Sequence, residues 1–276
     1  MNYQTLIAIV VVYNQNLEKS ETLTSLNKAV KEGLDVIIYD NSTESSRVDL
    51  SVFDCLNIRY FHNPSNPGIC AAYNFGFKEA STSSKDWMLL LDQDTVLSDN
   101  YFYCLSTSLK GLDSNVVSIV PNVISKLKNR ILSPLKIYAG GFLRPLNIKS
   151  GIISDRCTAI NSASLVNIKF IDDIGGFNEI FKLDMLDYWF FREVYNKGKQ
   201  VLLLDTEIIH DLSVDNFNTY MSIKRYKDLL ISERAFFCND GMISYMLYKF
   251  RLVVRSFKFL YNSKISFAKY TFSNLL

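Results

Sequence analysis

The stretch TLIAIVVVYN, residues 5–14, decides the fold, because it is an apolar run rich in β-branched side chains that ends in Tyr13 and Asn14. Runs of this kind are typical of strands buried on both faces of a parallel sheet. Residues 17–32 follow with apolar positions at near-helical spacing, and Gly33 is a common helix stop. We therefore predict a first strand followed by a helix.

Three more apolar runs repeat this strand pattern. They are VIIYDNS (36–42), IRYFHNP (58–64) and WMLLLDQDT (87–95), and helix-like segments lie between them. Strands that alternate with helices build βαβ units, whose right-handed crossovers give a mostly parallel sheet with helices on both faces. The predicted fold class is therefore α/β.

The rest of the chain predicts further elements. Two stretches, VVSIVPNVI and IKSGIISD, have the composition of strands, and CTAINSASLVN is either a strand of small residues or a loop. A helical pattern covers 184–197, and VLLLD after it predicts another buried strand. The last stretch of the chain predicts helices rich in aromatic and basic residues.

Composition excludes several classes of protein. The chain has 276 residues and a net charge of +2, a surplus too small for the whole chain to bind nucleic acid by its charge. Its five cysteines lack C-x-x-C spacing and its first residues lack a signal-peptide pattern, which predicts a cytoplasmic location and no disulfide framework. Apolar runs fall short of the roughly 20 residues that cross a bilayer, so we predict no membrane span.

Polar residues stand at the ends of the four predicted strands, namely Asn14, Asp40, Asn63 and the pair Asp92 and Asp94. Ligands of open α/β sheets bind at the carboxyl ends of the strands. Two carboxylates spaced i, i+2 at a strand end can bind one Mg²⁺ or Mn²⁺ together with phosphate oxygens. The alternative for an isolated D-x-D is a solvated turn that caps a helix.

Two other segments at this edge of the sheet allow two interpretations each, one as a ligand-binding site and one as a local structural feature. Asp40 could accept a hydrogen bond from a pyrimidine imide N–H, or it could form an Asx turn ahead of Ser42. HNPSNPGICAAYNFG, residues 62–76, could present backbone N–H groups to a phosphate or a ribose, or it could be a Pro-Gly turn before an ordinary helix.

Taken in order, these motifs resemble the family 2 glycosyltransferases, which have the GT-A fold, and the D-Q-D form is most similar to their bacterial rhamnosyltransferase branch. Each motif alone is unspecific, but the ordered set covers roughly residues 5–235. The motifs are VVVYN, YDNS, NPSNPGICAAYNFG, LLLDQDT, AINSASL, IGGFNEIFKLDMLDYWFFR and IIHDLS.

The resemblance implies a nucleotide site and a metal site. Asp40 would read the thymine or uracil ring, and Asp92 would contact the ribose or base side of the nucleotide. Asp94 would bind the Mg²⁺ or Mn²⁺ that holds the diphosphate, with His210 as a further metal ligand. The other residues that the resemblance assigns to the nucleotide are Val12, Tyr13, Asn14, Asn66, Gly68, Asn74 and Gln93.

The resemblance also implies a catalytic base and an acceptor site. Asp187 matches the aspartate expected to be the base, and Asp184 would lie one helical turn earlier, near the acceptor. Arg225 and Arg234, in RYKDLLISER, are candidates for contacts to the diphosphate or to an acceptor phosphate.

The carboxyl-terminal tail has a strong positive charge. After Asp240 there are six Lys and Arg and no Asp or Glu, interleaved with Phe, Tyr, Leu and Val. Such a segment favours the surface of an anionic membrane, with packing on the body of the protein or nucleic-acid binding as alternatives. We predict a GT-A domain over 1–235 and a basic amphipathic helical extension over 236–276, bound to the inner face of the cytoplasmic membrane.

The resemblance and the tail together predict an inverting, metal-dependent transferase. It would move L-rhamnose from dTDP-rhamnose to a polyprenyl-diphosphate-linked saccharide during synthesis of a bacterial surface polysaccharide, an O-antigen or a capsule. No nucleic-acid partner is expected. Two alternatives stay open: a UDP-hexose donor on the same fold, and a non-catalytic subunit that binds nucleotide or glycan.

Overall fold

The computed structural model describes residues 3–31, 33–46, 49–125, 130–210 and 221–275, and only the backbone of His210. The strands of the main sheet are β1 (Leu6–Val12), β2 (Leu34–Asp40), β3 (Leu56–His62), β4 (Trp87–Asp92), β5 (Val116–Ser125), β6 (Ile131–Ser133), β9 (Gly151–Ile153), β11 (Ser164–Asn167) and β12 (Gln200–His210). A smaller sheet contains β7 (Leu135–Tyr138), β8 (Phe142–Pro145) and β10 (Cys157–Thr158). The strand order is β3-β2-β1-β4-β11-β5-β12-β9, with β6 beside β5, and β10-β7-β8 in the small sheet.

The amino-terminal part of the main sheet is parallel. β1 pairs with β2 and with β4, and β2 pairs with β3, all in parallel register. The side chains of β1 and β2 are nearly all buried, whereas those of the edge strand β3 alternate between inward and outward positions. This arrangement confirms the α/β sheet that the unbroken apolar runs predict.

Helices cover both faces of the sheet. They are α1 (Glu21–Ala29), α2 (Ile69–Thr82), α3 (Tyr101–Ser108), α4 (Ile168–Asp173), α5 (Leu186–Asn196), α6 (Ile223–Cys238), α7 (Met242–Tyr261) and α8 (Ile265–Ser273). Two apolar clusters fill the space beneath them: Ile7 and Ile9 belong to one, Ala8 and Val10 to the other. Successive side chains of a strand point to opposite faces, so β1 contributes to both clusters.

The second half of the sheet is mixed. β11 runs antiparallel between β4 and β5, and β12 is parallel to β5. Between β2 and β3 the described residues form a short 3₁₀ turn, Leu50–Val52, instead of a helix. The polar stretch after β2, NSTESS, has no apolar face that could pack on the sheet, which explains the difference.

The carboxyl-terminal helices share the core of the body. Tyr248, Leu252 and Phe259 of α7 belong to the same buried cluster as Ile7 and Ile9 of β1. The predicted boundary after residue 235 falls inside α6, which continues to Cys238. Within the described ranges no helix has the length and apolar character that a membrane span requires.

Candidate active site

The carboxyl ends of β1 to β4 form one edge of the sheet, as the sequence predicts. In the strand register Val12 lies opposite Asp40, Asp40 opposite His62, and Val11 opposite Asp92. The edge therefore combines carboxylates, amides and backbone groups, which suits a polar ligand. Predicted site residues that directly follow these strand ends are Tyr13, Asn14, Gln93 and Asp94.

The turn Asp92-Gln93-Asp94 is held by two neighbouring segments. The side-chain oxygen of Gln93 accepts a hydrogen bond from the backbone N–H of Tyr13 at 2.7 Å. The backbone carbonyl of Asp92 accepts one from the Thr22 hydroxyl at 2.8 Å. Asp92 is half-buried and Asp94 is exposed, so a supported backbone presents one carboxylate to solvent.

This turn fits a divalent cation that shares its ligands with a phosphate group. Mg²⁺ prefers oxygen ligands and is commonly held by one or two carboxylates plus substrate phosphates. Ile209 forms an isolated antiparallel bridge with Val96, so β12 ends beside the turn. The predicted ligand His210 comes next, and its side chain lies outside the described residues. Among the described side chains, no group of three or more His, Cys, Asp or Glu could hold a metal ion by itself.

Asp40 is buried, and both of its carboxylate oxygens accept hydrogen bonds within the chain. Oδ1 accepts from the backbone N–H of Ser42 at 2.8 Å, and Oδ2 accepts from the Tyr60 hydroxyl at 2.6 Å. The contact with Ser42 is an Asx turn, one of the two readings of this position. Burial and the hydrogen bond to Asp40 raise the pKa of Tyr60 to about 12, so its hydroxyl keeps its proton at neutral pH. A pyrimidine imide would reach Asp40 only by sharing or displacing this bond.

The start of α2, predicted to face a phosphate or ribose, contacts a later loop. Gly68 has a φ of 96°, and a Cβ here would lie 2.4 Å from the carbonyl oxygen of Lys182. The same oxygen accepts a hydrogen bond from the backbone N–H of Cys70 at 3.2 Å. Asn66 lies in the preceding turn with a φ of 46°. The backbone carbonyl of Lys182 thus occupies part of the start of α2. Nucleotide binding by Asn66 and Gly68 stays a prediction.

Asn74 ties α2 to the same loop. Its Oδ1 accepts a hydrogen bond from the backbone N–H of Phe177, and its Nδ2 donates to the carbonyl of Phe177, both at 2.8 Å. The amide thereby positions the segment that leads to Asp184 and Asp187. A contact between Asn74 and a nucleotide stays a prediction.

Asp187 lies in the first turn of α5, where its Oδ1 accepts the backbone N–H of Tyr188 at 2.8 Å. Burial raises the pKa of Asp187 to about 7, against the lowering effect of the Tyr188 N–H. The negative charges of Asp184 and Asp92 raise the pKa further. The start of α5 is therefore electrostatically coupled to the end of β4, and Asp187 has the pKa of a general base suited to neutral pH.

Asp184 and Arg225 form an ion pair, with Oδ1 3.6 Å from Nη2. Burial raises the pKa of Asp184, and Arg225 opposes that shift. Arg234 lies nine residues after Arg225 on α6, which is about two and a half turns, so the two side chains leave from opposite sides of the helix. Arg234 is exposed. The structure thus places Arg225, and not Arg234, beside Asp184.

Tyr73 lies near the candidate site, and the sequence did not single it out. It is fully buried on α2, and its hydroxyl has no hydrogen-bond partner among the described residues. Burial raises its pKa well above the usual range, and the nearby charges of Asp92 and Asp187 add to the shift. An inward aromatic residue on an amphipathic helix predicts core packing, and its sequence position carries no further signal.

Comparison with known proteins shows which family and which fold the chain resembles. The family model "Glycosyl transferase family 2" matches residues 7–167. S. aureus TarS 1-349 in complex with UDP-GlcNAc has 14% sequence identity and a TM-score of 0.54, over 89% of this chain and 70% of that chain. The mannosyltransferase PcManGT from Pyrobaculum calidifontis, in complex with GDP-Man and Mn²⁺, has 13% identity and a TM-score of 0.56, over 87% and 65%. At such low identity these TM-scores show a shared GT-A fold and nothing more, and no curated protein sequence matches the chain.

Proposed function

The chain belongs to glycosyl transferase family 2, and from this membership we propose that it is an inverting, metal-dependent rhamnosyltransferase. It would move L-rhamnose from dTDP-rhamnose to a saccharide carried on polyprenyl diphosphate, in the synthesis of a bacterial surface polysaccharide such as an O-antigen or a capsule. The observation that supports the proposal best is the position of Asp187 at the start of α5: burial raises the pKa of Asp187 to about 7, and the negative charge of Asp92 adds to the rise, as expected if the predicted base lies near the predicted donor site.

The donor side of the reaction is assigned to the edge of β1, β2 and β4. Asp40 and Asp92 would contact the base and ribose, and Asp94 and His210 would hold Mg²⁺ or Mn²⁺. When bound, this cation neutralises the charge that develops on the leaving diphosphate. The exposed position of Asp94 beside the end of β12 supports this assignment.

Asp187 would act as the base. As the acceptor oxygen bonds to the anomeric carbon, its proton passes to Oδ2 of Asp187, because Oδ1 already accepts the N–H of Tyr188. The bond from the anomeric carbon to the diphosphate oxygen breaks on the opposite face, and its electron pair leaves with the nucleotide. Attack opposite the leaving group inverts the configuration.

The acceptor is assigned to the side of the site formed by α5 and α6. Asp184 would accept a hydrogen bond from a sugar hydroxyl, and Arg225 would contact an acceptor phosphate or the diphosphate. The side chain of Arg225 is 27% exposed, so part of its guanidinium is open to such a contact. Because Arg234 leaves from the opposite side of α6, we place it outside this role.

The choice of rhamnose depends on the resemblance of the D-Q-D motif alone, so it needs a direct test. We would measure thermal stability with dTDP-rhamnose, UDP-glucose, UDP-GlcNAc and GDP-mannose, each with Mn²⁺, because a ligand that binds the folded protein raises its melting temperature. We expect stabilisation and slow hydrolysis with dTDP-rhamnose. Selective consumption of a UDP-sugar would establish the alternative donor.

The same assay separates an enzyme from a binding subunit. With a short lipid-linked acceptor, the proposed enzyme forms a glycosylated product, whereas a non-catalytic subunit binds the nucleotide sugar without turnover. The raised pKa of Asp187 favours the enzyme, since a group poised near neutral pH suits proton transfer.

We also assign the tail a role in locating the enzyme. Exposed cations such as Lys258 and Lys269 would hold the chain at the anionic inner leaflet, where a lipid-linked acceptor resides. Each cation near such a surface contributes about 1 kcal/mol. Several of the six tail cations are engaged within the protein, so fewer are available than the sequence suggests; among them are Lys249, Arg251, Arg255 and Lys264.

A further inference from the structure

Two segments of the chain contain cations and no acidic residues. Residues 114–154 contain six Lys and Arg, and residues 241–276 contain six more, yet no Asp or Glu occurs in either. Together they hold 12 of the 30 cations and none of the 28 acids. This asymmetry is not visible in the net charge of +2.

The fold joins these two segments. The turn between β7 and β8 packs on α7: the N–H of Gly140 donates to the Ser244 hydroxyl at 2.8 Å, and Arg251 donates to the carbonyl of Gly140. The guanidinium of Arg251 also lies 5.5 Å from the ring of Phe142. A Cβ on Gly140 would lie 2.6 Å from Cβ of Leu247, so the contact is close.

Large apolar side chains are exposed on both joined elements. On the β7–β8 hairpin, Tyr138, Phe142 and Leu143 are exposed. On α7 the exposed residues recur every three or four positions and so form one stripe along the helix. The stripe consists of Ile243, Met246, Phe250, Val254, Phe257 and Tyr261.

We propose that the β7–β8 hairpin and the apolar stripe of α7 together form a two-part surface that binds an anionic lipid bilayer. This proposal deepens the proposed function, since it rests on the membrane role assigned to the tail and adds the hairpin as a second contact. Aromatic and aliphatic side chains enter the boundary between headgroups and acyl chains, while neighbouring cations contact the headgroups. The exposed cations nearest in sequence to the two parts are Arg144, Lys149 and Lys258.

The positive charge and the exposed apolar side chains of this surface together favour a bilayer over other binding partners. A second copy of the chain packed by two-fold symmetry would set the same surface against itself, and the acid-free segments would bring cations against cations. A nucleic acid would contact the cations but would leave the stripe of Ile, Met, Val and Phe in water. An anionic bilayer accommodates both features at once.

The surface is connected to the acceptor side of the site. Arg255 of α7 forms a two-pronged ion pair with Glu233 of α6, with both contacts at 2.8 Å. Arg225, which pairs with Asp184, belongs to the same helix α6. A bilayer bound to α7 therefore lies one helix layer from the residues assigned to the acceptor.

Vesicle flotation tests the two parts separately. The variants are Phe142→Asp on the hairpin and Phe250→Asp on α7, with Tyr103→Asp on α3 as a matched control, since Tyr103 is 74% exposed on another helix. On vesicles of phosphatidylethanolamine and phosphatidylglycerol, we expect each surface variant to bind about tenfold more weakly or worse, because each loses an exposed aromatic ring that would become buried in the bilayer. The control variant should bind these vesicles as the wild type does. The wild type should bind vesicles of phosphatidylcholine only weakly.

Three results would overturn the proposal: Phe142→Asp binding like the wild type, a wild type that does not bind anionic vesicles, or a wild-type dimer that Phe250→Asp dissociates. Melting curves verify folding, and a serine variant at the same position replaces any aspartate variant that does not fold. Binding of dTDP-rhamnose without lipid, measured on the same proteins, should be unchanged. A wild type that floats yet binds no nucleotide sugar would contradict the proposed function and leave the surface intact.

Discussion

At the scale of single residues, the environment of Asp187 determines how activity should depend on pH. Its pKa is about 7, chiefly because the carboxyl group is buried. A base works only when ionised, so kcat/KM should fall as the pH drops below about 7, with a tenfold loss per pH unit. A rate profile from pH 5 to 9 measures this. If kcat/KM instead stays constant down to about pH 4 and falls only below it, Asp187 is solvated or is not the base.

The Asp187→Asn variant should lose transfer activity and gain stability. Transfer should fall by about 10²- to 10⁴-fold, because the amide cannot accept the acceptor's proton. The folded pKa lies above the ordinary value of 3.8, so the folded state binds this proton more tightly than the unfolded state. Stability from this group is therefore present at low pH and is lost as the pH rises from about 4 to 7.

Removing the carboxylate should thus stabilise the protein above pH 7. Asp187 is half-buried as a residue, so only part of its pKa shift counts toward stability, and we expect a gain of roughly 2 kcal/mol at pH 8 and little change at pH 4. Urea unfolding at the two pH values measures the difference. Equal effects at both pH values would show that the Asp187 carboxylate is not destabilised by burial.

Sequence patterns predicted some residues of the site better than others. The placement of Asp92 and Asp94 at a strand end could be predicted because the strand is visible as an apolar run with a polar end, whereas Asp187 was assigned through the family resemblance. The contact of Asp40 with Tyr60 could not, since it joins two strands whose register appears only after folding. The Tyr73 hydroxyl, which has no hydrogen-bond partner among the described residues, could not be predicted either, because burial and hydrogen-bond partners are tertiary properties.

At the scale of elements, the loop that contains Lys182 leads into α5, the helix that contains the proposed base Asp187. The sequence predicted both a turn at Gly68 and a helix from 184 to 197, and both are observed in nearly those places. The contact between Gly68 and the loop before α5 could not be predicted, because the only sequence feature of a close approach between two backbones is a glycine, and glycines occur for many other reasons. In the structure the two elements meet where Gly68 touches the Lys182 carbonyl.

Replacing Gly68 with alanine should therefore damage stability and activity together. A Cβ would overlap the Lys182 carbonyl oxygen, and the φ of 96° disfavours any side chain. We expect a loss of roughly 3 kcal/mol or more in unfolding free energy, and weaker transfer because α5 is displaced. The matched control is Gly33→Ala, whose φ is also positive, at 75°, but whose Cβ would meet open space.

The control variant should lose about 1 kcal/mol, the usual cost of a left-handed conformation, and should keep its transfer activity. Chemical denaturation and initial rates measure both variants. Equal losses in the two would mean that the contact between α2 and the Lys182 loop does not support the site.

At the scale of the whole molecule, the basic tail is part of the core. The sequence separated it because its charge differs from that of the body, and charge patterns report on surfaces. Burial of Tyr248, Leu252 and Phe259 could not be deduced from charge. The strand order beyond β4 was equally hidden, because an antiparallel β11 inserted between β4 and β5 has no sequence signature.

A chain truncated after Asp240 should be strongly destabilised, since it exposes the apolar surface of α6 and leaves Glu233 buried without Arg255. Loss of one partner of a buried ion pair alone costs about 3–5 kcal/mol. We expect a melting temperature lowered by many degrees or an insoluble product. A truncated chain that melts like the full chain would establish the tail as an independent appendage.

The most direct test of the account is diffraction from a crystal soaked with dTDP-rhamnose and Mn²⁺. The anomalous signal of manganese should lie within bonding distance of the Asp94 carboxylate and of the donor's phosphate oxygens, with the sugar between them and Asp187. An Asp94→Ala crystal should lack the signal. Nucleotide bound without manganese at Asp94, or manganese bound elsewhere in the protein, would contradict the proposed site.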